Sequence, residues 1–238
     1  MTNSAQAAIV TGASRGLGRA LALELARAGT RVVLVGRSES TLGEVQATIR
    51  AAGGEAHALV ADLGDKHAIY PLAAMAAELA GPIDLLVHNA SELGPTPLRP
   101  LLDTECEDLE RVLAVNLVGP FRLTKVVAGA MALRRRGTVL FVSSDASVNA
   151  YSGWGAYSVS KAGADHLARL FAVELEPFGV RSFSVDPGEM DTAMHRAALP
   201  DADPASLSRP EDVAVRIAEL LERHVPNGAR LEIGTPAA

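Results

Sequence analysis

The stretch "IVTGASRGLGRALALELARAG", residues 9–29, follows a short apolar run and carries glycines at Gly12, Gly16 and Gly18. Glycine lets a backbone turn tightly and lets another group approach it closely. The turn opens into a helical pattern, and the free amides and positive dipole end of a helix N-terminus bind anions. A glycine-rich turn between a first strand and a first helix is typical of dinucleotide sites in α/β proteins. We therefore expect a pyrophosphate to bind at this turn.

The alternation of strand and helix continues along the whole chain. Short apolar runs rich in β-branched residues predict strands that are covered on both faces of a parallel sheet. Seven strands are predicted, at Ala7–Thr11, Arg31–Gly36, Glu55–Asp62, Asp84–Ala90, Thr138–Ser143, Arg181–Asp186 and Ala229–Gly234. Helical patterns occupy residues 16–28, 39–53, 65–80, 103–135, 155–177 and 209–224. This order predicts an α/β fold with right-handed crossovers: a doubly wound, Rossmann-type, parallel seven-stranded sheet with helices on both faces.

Composition narrows the class of protein. The 238 residues show no linker or repeat, so we expect one domain over residues 1–238. Hydrophobic residues make up 48% of the chain and aromatic residues only 4%, which predicts an aliphatic core. A net charge of −6 argues against a nucleic-acid partner. The run Arg134-Arg135-Arg136 is better explained as cations at the C-terminal end of a helix dipole.

Other classes of site and location are disfavoured by what the sequence lacks. A single cysteine, Cys106, excludes a disulfide framework, and the six histidines show no zinc-ligand spacing, so we expect no metal. The N-terminus lacks the features of a signal peptide, and no apolar stretch approaches the roughly 20 residues of a membrane span. These observations favour a cytoplasmic protein with no membrane partner.

Two arginines near the glycine-rich turn bear on the choice of dinucleotide. Sites for NAD place an acidic residue after the second strand, where it binds the ribose hydroxyls. This chain has Gly36-Arg37 there, and Arg15 lies inside the turn. Both guanidinium groups are suited to a 2′-phosphate, which favours NADP(H) as the cofactor. Glu39 is the acidic alternative, if the strand ends later than expected.

A tyrosine and a lysine four residues apart suggest proton chemistry. Tyr157 and Lys161 lie in a helical pattern, where residues i and i+4 share one face. A free tyrosine has a pKa of about 10, and a cation within about 4–6 Å favours the phenolate. We therefore expect Lys161 to lower the pKa of Tyr157. Pro120, after Gly119, breaks the 103–135 helical pattern just after Asn116 and frees a backbone carbonyl there.

Taken in order, the motifs of this chain resemble those of the classical short-chain dehydrogenase/reductase family. The resemblance runs from Thr11 to the last strand, and Ser144 lies thirteen residues before Tyr157, the usual separation in the family. The motifs that carry it are Thr11-Gly12-x-x-x-Gly16-x-Gly18, Asp62-Leu63, Asn89-Ala90, Asn116, Ser143-Ser144, Tyr157-x-x-x-Lys161 and Pro187-Gly188. The Arg15 and Arg37 pair is similar to that of members that prefer NADP(H).

The resemblance implies a role for each matching residue. Tyr157 is the general acid/base, Ser144 binds the substrate oxygen, Lys161 reaches the nicotinamide ribose, and Asn116 anchors a water that links Lys161 to solvent. The implied cofactor residues are Gly12, Ser14, Arg15, Gly16, Leu17, Gly18, Arg37, Asp62, Leu63, Asn89, Ala90, Tyr157, Lys161, Pro187, Gly188, Met190 and Thr192. The implied reaction transfers a hydride between NADP(H) and a small carbonyl or alcohol.

The chain departs from the family pattern at several positions. His88 and Ser91 flank Asn89-Ala90 where the family has asparagine and glycine, and Asp186 replaces an asparagine before Pro187. We expect His88 to be a hydrogen-bonded interior residue and Ser91 to reshape the site. Methionine at position 190 also differs from the usual valine. These departures affect specificity rather than the Ser144, Tyr157 and Lys161 set.

Substrate contacts are expected in a lid at residues 189–208, where a short helix turns Met190, Met194, His195 and Leu199 to one face. We expect Ser144, Tyr151, Trp154 and Met194 to contact the substrate, with Ser91, Glu92 and Leu93 at the rim. The helices at 103–135 and 155–177 are apolar on more than one face, and the resemblance implies that they form a homodimer or homotetramer. Two alternatives stay open: a 3-oxoacyl-thioester reductase, or a non-catalytic NADP(H) sensor.

Overall fold

The computed structural model describes residues 6–233, and all seven strands within that range form one parallel sheet. The strand order is β3-β2-β1-β4-β5-β6-β7, which reverses direction between β1 and β4. The strands are β1 Ala7–Thr11, β2 Arg31–Gly36, β3 Ala56–Val60, β4 Leu85–His88, β5 Gly137–Val142, β6 Val180–Asp186 and β7 Arg230–Glu232. The doubly wound α/β fold expected from the sequence is confirmed.

Eight α-helices surround this sheet within the described residues. Their bounds are α1 Gly16–Arg27, α2 Glu39–Ala51, α3 Ile69–Ala80, α4 Cys106–Leu113, α5 Gly119–Arg134, α6 Gly155–Leu175, α7 Ala193–Ala198 and α8 Pro210–Leu221. One core cluster joins α1, α2 and α8 to the sheet, and the other joins α3, α5 and α6 to its opposite face. Neighbouring strand residues serve different clusters, as Ile9 and Val10 do, because side chains alternate across a strand.

Several predicted strands are too long at their carboxyl ends. The third ends at Val60 rather than Asp62, the fourth at His88 rather than Ala90, and the fifth at Val142 rather than Ser143. The polar residues beyond these ends, Asp62, Asn89 and Ser143, line the groove described below. The last strand ends at Glu232, and the predicted end at Gly234 lies outside the described residues.

The helical stretch predicted at 103–135 has a break in its regular α-helical hydrogen bonding. A π-helical turn, Ala114–Val118, separates α4 from α5. Pro120 lies in the first turn of α5 and has no amide to donate to the carbonyl of Asn116, four residues earlier. The amide of Gly119 instead bonds to the carbonyl of Ala114, as in a π-helix. The break expected near Asn116 is therefore present.

The helical stretch Cys106–Arg134 is long and apolar enough to cross a membrane by composition alone, with a mean hydropathy of 1.3. Half of its apolar window is buried inside the fold, and a core helix passes the same test of length and composition. Between residues 6 and 233, no group of three or more histidine, cysteine or acidic side chains is arranged to hold a metal ion.

The three glycines of the glycine-rich turn occupy positions that do not suit a residue with a side chain. Gly12 and Gly16 have φ angles of +68° and +54°, a region that favours glycine. A Cβ atom added to Gly18 would lie 2.3 Å from the carbonyl oxygen of Gly12 and 2.3 Å from Nδ2 of Asn89. This spacing lets α1 start directly against β1 and β4.

We expect Gly18→Ala to lower the free energy of unfolding by about 1–3 kcal/mol, because the added methyl group overlaps the Gly12 carbonyl. Gly43→Ala in α2 is the matched control. Its added methyl group meets no atom within 4 Å, so helix propensity should raise stability by about 0.5–1 kcal/mol. Urea unfolding of both variants measures the difference. Equal stability of the Gly18 variant and the parent would contradict this packing.

Candidate active site

A cavity of about 850 Å³ opens at the carboxyl ends of the strands, on both sides of the point where the strand order reverses. Open α/β sheets bind their ligands at this place. The structure brings nearly all the predicted site residues to this cavity. Those that line it are Gly12, Ser14, Arg15, Gly16, Leu17, Arg37, Asp62, Leu63, Asn89, Ala90, Ser144, Tyr151, Trp154, Tyr157, Lys161, Pro187, Gly188, Met190, Thr192 and Met194. Gly18 and Asn116 do not line the cavity; they support its wall.

Hydrogen bonds between β1 and the loop after β4 fix the floor of the groove. The hydroxyl of Thr11 accepts from the amides of Asn89 and Ala90 at 3.0 and 3.1 Å and donates to the carbonyl of Val87. The side-chain amide of Asn89 donates to the carbonyls of Thr11 and Gly12 at 3.0 and 3.2 Å. Asn89 therefore shapes the glycine-rich turn directly.

The glycine-rich turn fits a pyrophosphate. Arg15 is the N-cap residue of α1, and its side chain makes no capping hydrogen bond there. Gly12, Gly16 and Leu17 line the cavity where α1 begins. A Cβ atom added to Gly12 would lie 2.8 Å from the Cα of Ala90, and the φ angle of Gly16 favours glycine. Backbone amides at a helix N-terminus are the groups that bind phosphate. The residues present therefore suit a dinucleotide.

Tyr157 and Lys161 lie together at the base of the cavity, on α6. The Tyr157 side chain is buried, with 8% of the residue exposed, and the Lys161 Nζ atom lies 5.5 Å from the centre of its ring. Lys161 donates a hydrogen bond to the carbonyl of Val142, at 2.7 Å, which anchors it to the end of β5. A phenol and an amine that face one cavity can pass a proton to a bound substrate.

Burial, rather than the neighbouring cation, controls the pKa of Tyr157. Desolvation raises this pKa to about 12, although the nearby hydroxyls of Ser144 and Ser91 oppose the shift. The lowering by Lys161 that the sequence predicted is not found, because the amine loses its charge at a lower pH than the phenol ionises. Desolvation lowers the pKa of Lys161 to about 8, against the attraction of Asp165 and Asp186. The phenol is thus a neutral proton donor near pH 7.

Asn116 joins the segment after β4 to the catalytic helix. Its Oδ1 accepts from the amide of Glu92 at 2.7 Å, and its Nδ2 donates to the carbonyl of Glu92 at 2.8 Å. The same Nδ2 donates to Ser160 Oγ at 2.9 Å, and Ser160 donates to the carbonyl of Tyr157. The side chain of Asn116 therefore positions both Glu92 and Tyr157. Its link to a water remains a prediction.

The substrate end of the cavity contains an acidic residue that sequence reasoning missed. Ser144 Oγ donates to Asp145 Oδ1 at 3.1 Å, and Tyr151 donates to Asp145 Oδ2 at 2.7 Å. Tyr151 and Trp154, and then Trp154 and Tyr157, meet edge to face, with ring centres 6.5 and 5.7 Å apart. The position of Asp145 directly after Ser144 was the signal available in the sequence.

A buried ion cluster lies behind Ser144 and Lys161 and was also missed by sequence reasoning. Arg230 on β7, whose side chain is 13% exposed, contacts Asp186 at 2.6 Å and Asp165 at 3.2 Å. It also donates to the carbonyl of Ser144 at 3.1 Å. Asp165 accepts from the hydroxyls of Ser143 and Ser147 at 2.7 and 2.6 Å. Asp186 stands where the family has an asparagine, and its negative charge is therefore compensated by Arg230 from the last strand.

The sequence predicted that Arg15 and Arg37 bind a 2′-phosphate together. In the structure both arginines line the groove, but Arg37 is paired with a carboxylate. Arg37 Nη1 contacts Glu92 Oε1 at 2.5 Å, and Glu92 also contacts Arg111. Arg111 in turn bonds to Asp62 at 2.9 Å, and this pairing opposes the desolvation that would raise the Asp62 pKa. Arg37 is thus engaged by a carboxylate because Glu92, at the end of the next strand but one, reaches across to it.

His88 is the hydrogen-bonded interior residue that the sequence predicted. His88 is buried, its Nε2 hydrogen-bonds Thr124 Oγ1 at 2.7 Å, and burial lowers its pKa to about 3, so it is neutral. The lid contains the short helix α7, which Thr192 caps through a bond from the His195 amide. Met190, Met194, His195 and Leu199 line the cavity, but they do not share one helix face as predicted, because Met190 precedes α7 and pairs with Ser208 in a β-bridge. Ser91, Glu92 and Leu93 lie at the rim of the cavity.

Comparison with known proteins agrees with this geometry. The family model described as "short chain dehydrogenase" matches residues 6–203. A 3-oxoacyl-[acyl-carrier-protein] reductase of Synechocystis is 36% identical over 219 residues, covering 89% of this chain and 87% of that protein. A short chain dehydrogenase of Pseudocercospora fijiensis is 37% identical over 190 residues, 79% of this chain, but the match spans only 60% of that protein.

Among solved structures, a short chain dehydrogenase from Shigella flexneri complexed with NADP has a TM-score of 0.89 at 28% sequence identity. The match covers 95% of this chain and 96% of that one. One conclusion accounts for the sheet order, for the groove with its glycine-rich turn, and for the set of Ser144, Tyr157 and Lys161. The chain belongs to the short-chain dehydrogenase/reductase family and is an oxidoreductase that uses a nicotinamide cofactor.

Proposed function

We propose that this protein is an NADP(H)-dependent oxidoreductase that interconverts a carbonyl compound and a secondary alcohol, with Tyr157 as the general acid/base. The observation that carries the proposal is the buried Tyr157 phenol, which faces the cavity together with Ser144 and Lys161. When bound, the cofactor supplies or accepts the hydride. The cavity offers a helix N-terminus at one end and a proton donor at the other.

The protonation states favour the direction of carbonyl reduction. With a pKa of about 12, Tyr157 keeps its proton at neutral pH and donates it to the substrate oxygen. Ser144 orients that oxygen, while Lys161 holds a positive charge below about pH 8. In alcohol oxidation the phenol must first lose its proton, and its burial opposes that loss. Proton transfer of this kind contributes about 10²–10⁴-fold to the rate.

NADP(H) is the proposed cofactor because two arginines line the groove at the end away from Tyr157. Arg15 and Arg37 both face the cavity, and guanidinium groups bind phosphate well. The Shigella protein, which is similar over nearly its whole length, is complexed with NADP. Asp62 and Leu63 would hold the adenine, and Thr192 with the backbone after Gly188 would hold the nicotinamide.

The substrate is proposed to be uncharged. Asp145 contacts Ser144, and Glu189 lies at the mouth of the same cavity, so an anionic substrate would meet repulsion there. A 3-oxoacyl thioester is the second candidate, because the Synechocystis relative is named as a reductase of such a substrate. Comparing a neutral ketone with a 3-oxoacyl thioester separates these two. A sensor that binds NADP(H) without turnover would reduce neither.

Assembly and location belong to the same proposal. Apolar side chains are exposed along α5 and α6, which favours a homodimer or homotetramer built on these helices. They are Phe121, Leu133, Val159, Leu170 and Val173. A small-molecule substrate and cofactor, with no nucleic-acid or membrane partner, are consistent with a cytoplasmic enzyme.

We expect Tyr157→Phe to lower kcat/KM about 10²–10⁴-fold with any carbonyl substrate, because the proton donor is lost. NADPH should still bind, since Phe retains the ring. The assay follows loss of reduced-nicotinamide absorbance over a panel of ketones, aldehydes, diketones, quinones and 3-oxoacyl thioesters. Tyr70→Phe, on the exposed surface of α3, is the control. Full activity of the Tyr157 variant would contradict the assignment.

The pH dependence of kcat/KM should follow the protonation of Lys161. A depressed lysine pKa of about 8 means that the ammonium is present below that pH and is lost above it. We therefore expect kcat/KM for NADPH, which reports groups of the free enzyme, to fall as the pH rises through about 8. Lys161→Arg, whose guanidinium stays charged, should remove this fall from whatever activity it retains. A flat profile of the parent from about pH 6.5 to 9.5 would contradict the role.

A further inference from the structure

Glu92 holds two cations at once at the far end of the groove. Its Oε1 accepts from Arg37 Nη1 at 2.5 Å and from Arg111 Nη2 at 2.8 Å, and its Oε2 accepts from Arg111 Nε at 2.9 Å. Arg111 also contacts Asp62. Arg37, Glu92, Arg111 and Asp62 thus form a row of alternating charge, which we call the ion row.

The members of the ion row are not held equally. Arg111 is bound by both carboxylates, whereas Arg37 contacts Glu92 at the outer end of the row. The Arg37 side chain is 60% exposed and that of Glu92 is 20% exposed. An exposed ion pair of this kind is worth only about 0–1 kcal/mol. The contact between Arg37 and Glu92 is therefore the one that a stronger anion displaces most easily.

The backbone of Glu92 stays in place when this contact breaks. Asn116 binds both the amide and the carbonyl of Glu92, at 2.7 and 2.8 Å. Only the side chain can turn, and it keeps Arg111 as a partner when it leaves Arg37. Release of Arg37 thus needs a rotation of one side chain and no movement of the loop.

We infer that Glu92 is a specificity-determining residue that competes with the 2′-phosphate of the cofactor for Arg37 and so limits the preference for NADP(H) over NAD(H). The inference rests on the proposed function, because it takes Arg37 as the phosphate ligand. A phosphate carries more charge than a carboxylate and binds Arg through two parallel bonds. The phosphate therefore displaces Glu92 from Arg37. The Glu92 carboxylate stays nearby, because Arg111 holds it, and continues to repel the phosphate. NAD(H) has no such phosphate and leaves the pair intact.

The test is direct binding of NADPH and NADH to Glu92→Gln. Glutamine keeps the shape of the side chain and removes its charge. Its effect on NADPH should be an affinity gain of about five- to tenfold, the scale of one surface ion pair together with the repulsion it removes. The affinity for NADH should change less than about twofold. Energy transfer from Trp154, the sole tryptophan, which lines the cavity, measures both affinities without a substrate.

Two further variants test whether the gain in NADPH affinity comes from the loss of the Glu92 charge and requires Arg37. Glu44→Gln removes the same charge from the exposed surface of α2, away from the cavity, and should leave both affinities unchanged. Arg37→Met combined with Glu92→Gln should lose the gain for NADPH, because the arginine that the phosphate needs is absent. The gain in the single variant should also shrink at high salt, where exposed charges are screened. A thermal melt confirms that each variant is folded.

Two results would overturn the inference: an unchanged ratio of NADPH to NADH affinity in Glu92→Gln, whether or not both affinities rise, or weaker binding of NADH. The second would show that Glu92 accepts hydrogen bonds from the ribose hydroxyls. If the parent protein binds both nucleotides while the ratio stays unchanged, the inference alone fails. If the parent binds neither, the proposed function fails first and the inference fails with it.

Discussion

Burial of a phenol and an amine at the carboxyl ends of the strands is the constraint on which the site depends. Desolvation keeps Tyr157 neutral and lowers the pKa of Lys161. Asp165 and Asp186 oppose the loss of charge on Lys161, but two buried carboxylates are costly without a counter-ion. Arg230 supplies it from the last strand and bonds to the Ser144 carbonyl as well. The edge strand β7 is therefore part of the active site as well as of the sheet.

The two ends of the groove are also physically linked. Asn116 stands at the π-helical turn that Pro120 permits, and its amide group spans from Glu92 to Ser160. One side chain thus sets the backbone next to the ion row and steadies the catalytic helix. This arrangement explains why a break in the middle of a long helix lies next to the catalytic residues. The residues proposed to govern cofactor choice and proton transfer thus share one hydrogen-bonded framework.

Local patterns in the sequence were enough to predict the fold, and the family resemblance supplied most of the residues that line the groove. The bounds of β1 and β2 were correct, and the spacing of Tyr157 and Lys161 placed both on one helix face. Contacts between distant segments were not predictable: Arg230 lies 65 residues from Asp165, and Arg37 lies 55 residues from Glu92. The pKa of Tyr157 was misjudged for the same reason, since helix spacing reports a neighbouring cation but does not report burial.

Transfer of hydrogen from cofactor to substrate tests the central claim most directly. NADPH carrying deuterium at both positions of nicotinamide C4 would be incubated with the protein and a reactive ketone, and the alcohol would be analysed by mass spectrometry. Tyr157-assisted reduction predicts one deuterium on the carbinol carbon and a hydroxyl proton taken from solvent. Tight binding of NADPH with no deuterium in any alcohol, across neutral ketones and 3-oxoacyl thioesters alike, would contradict the claim and leave a nucleotide-binding protein without turnover.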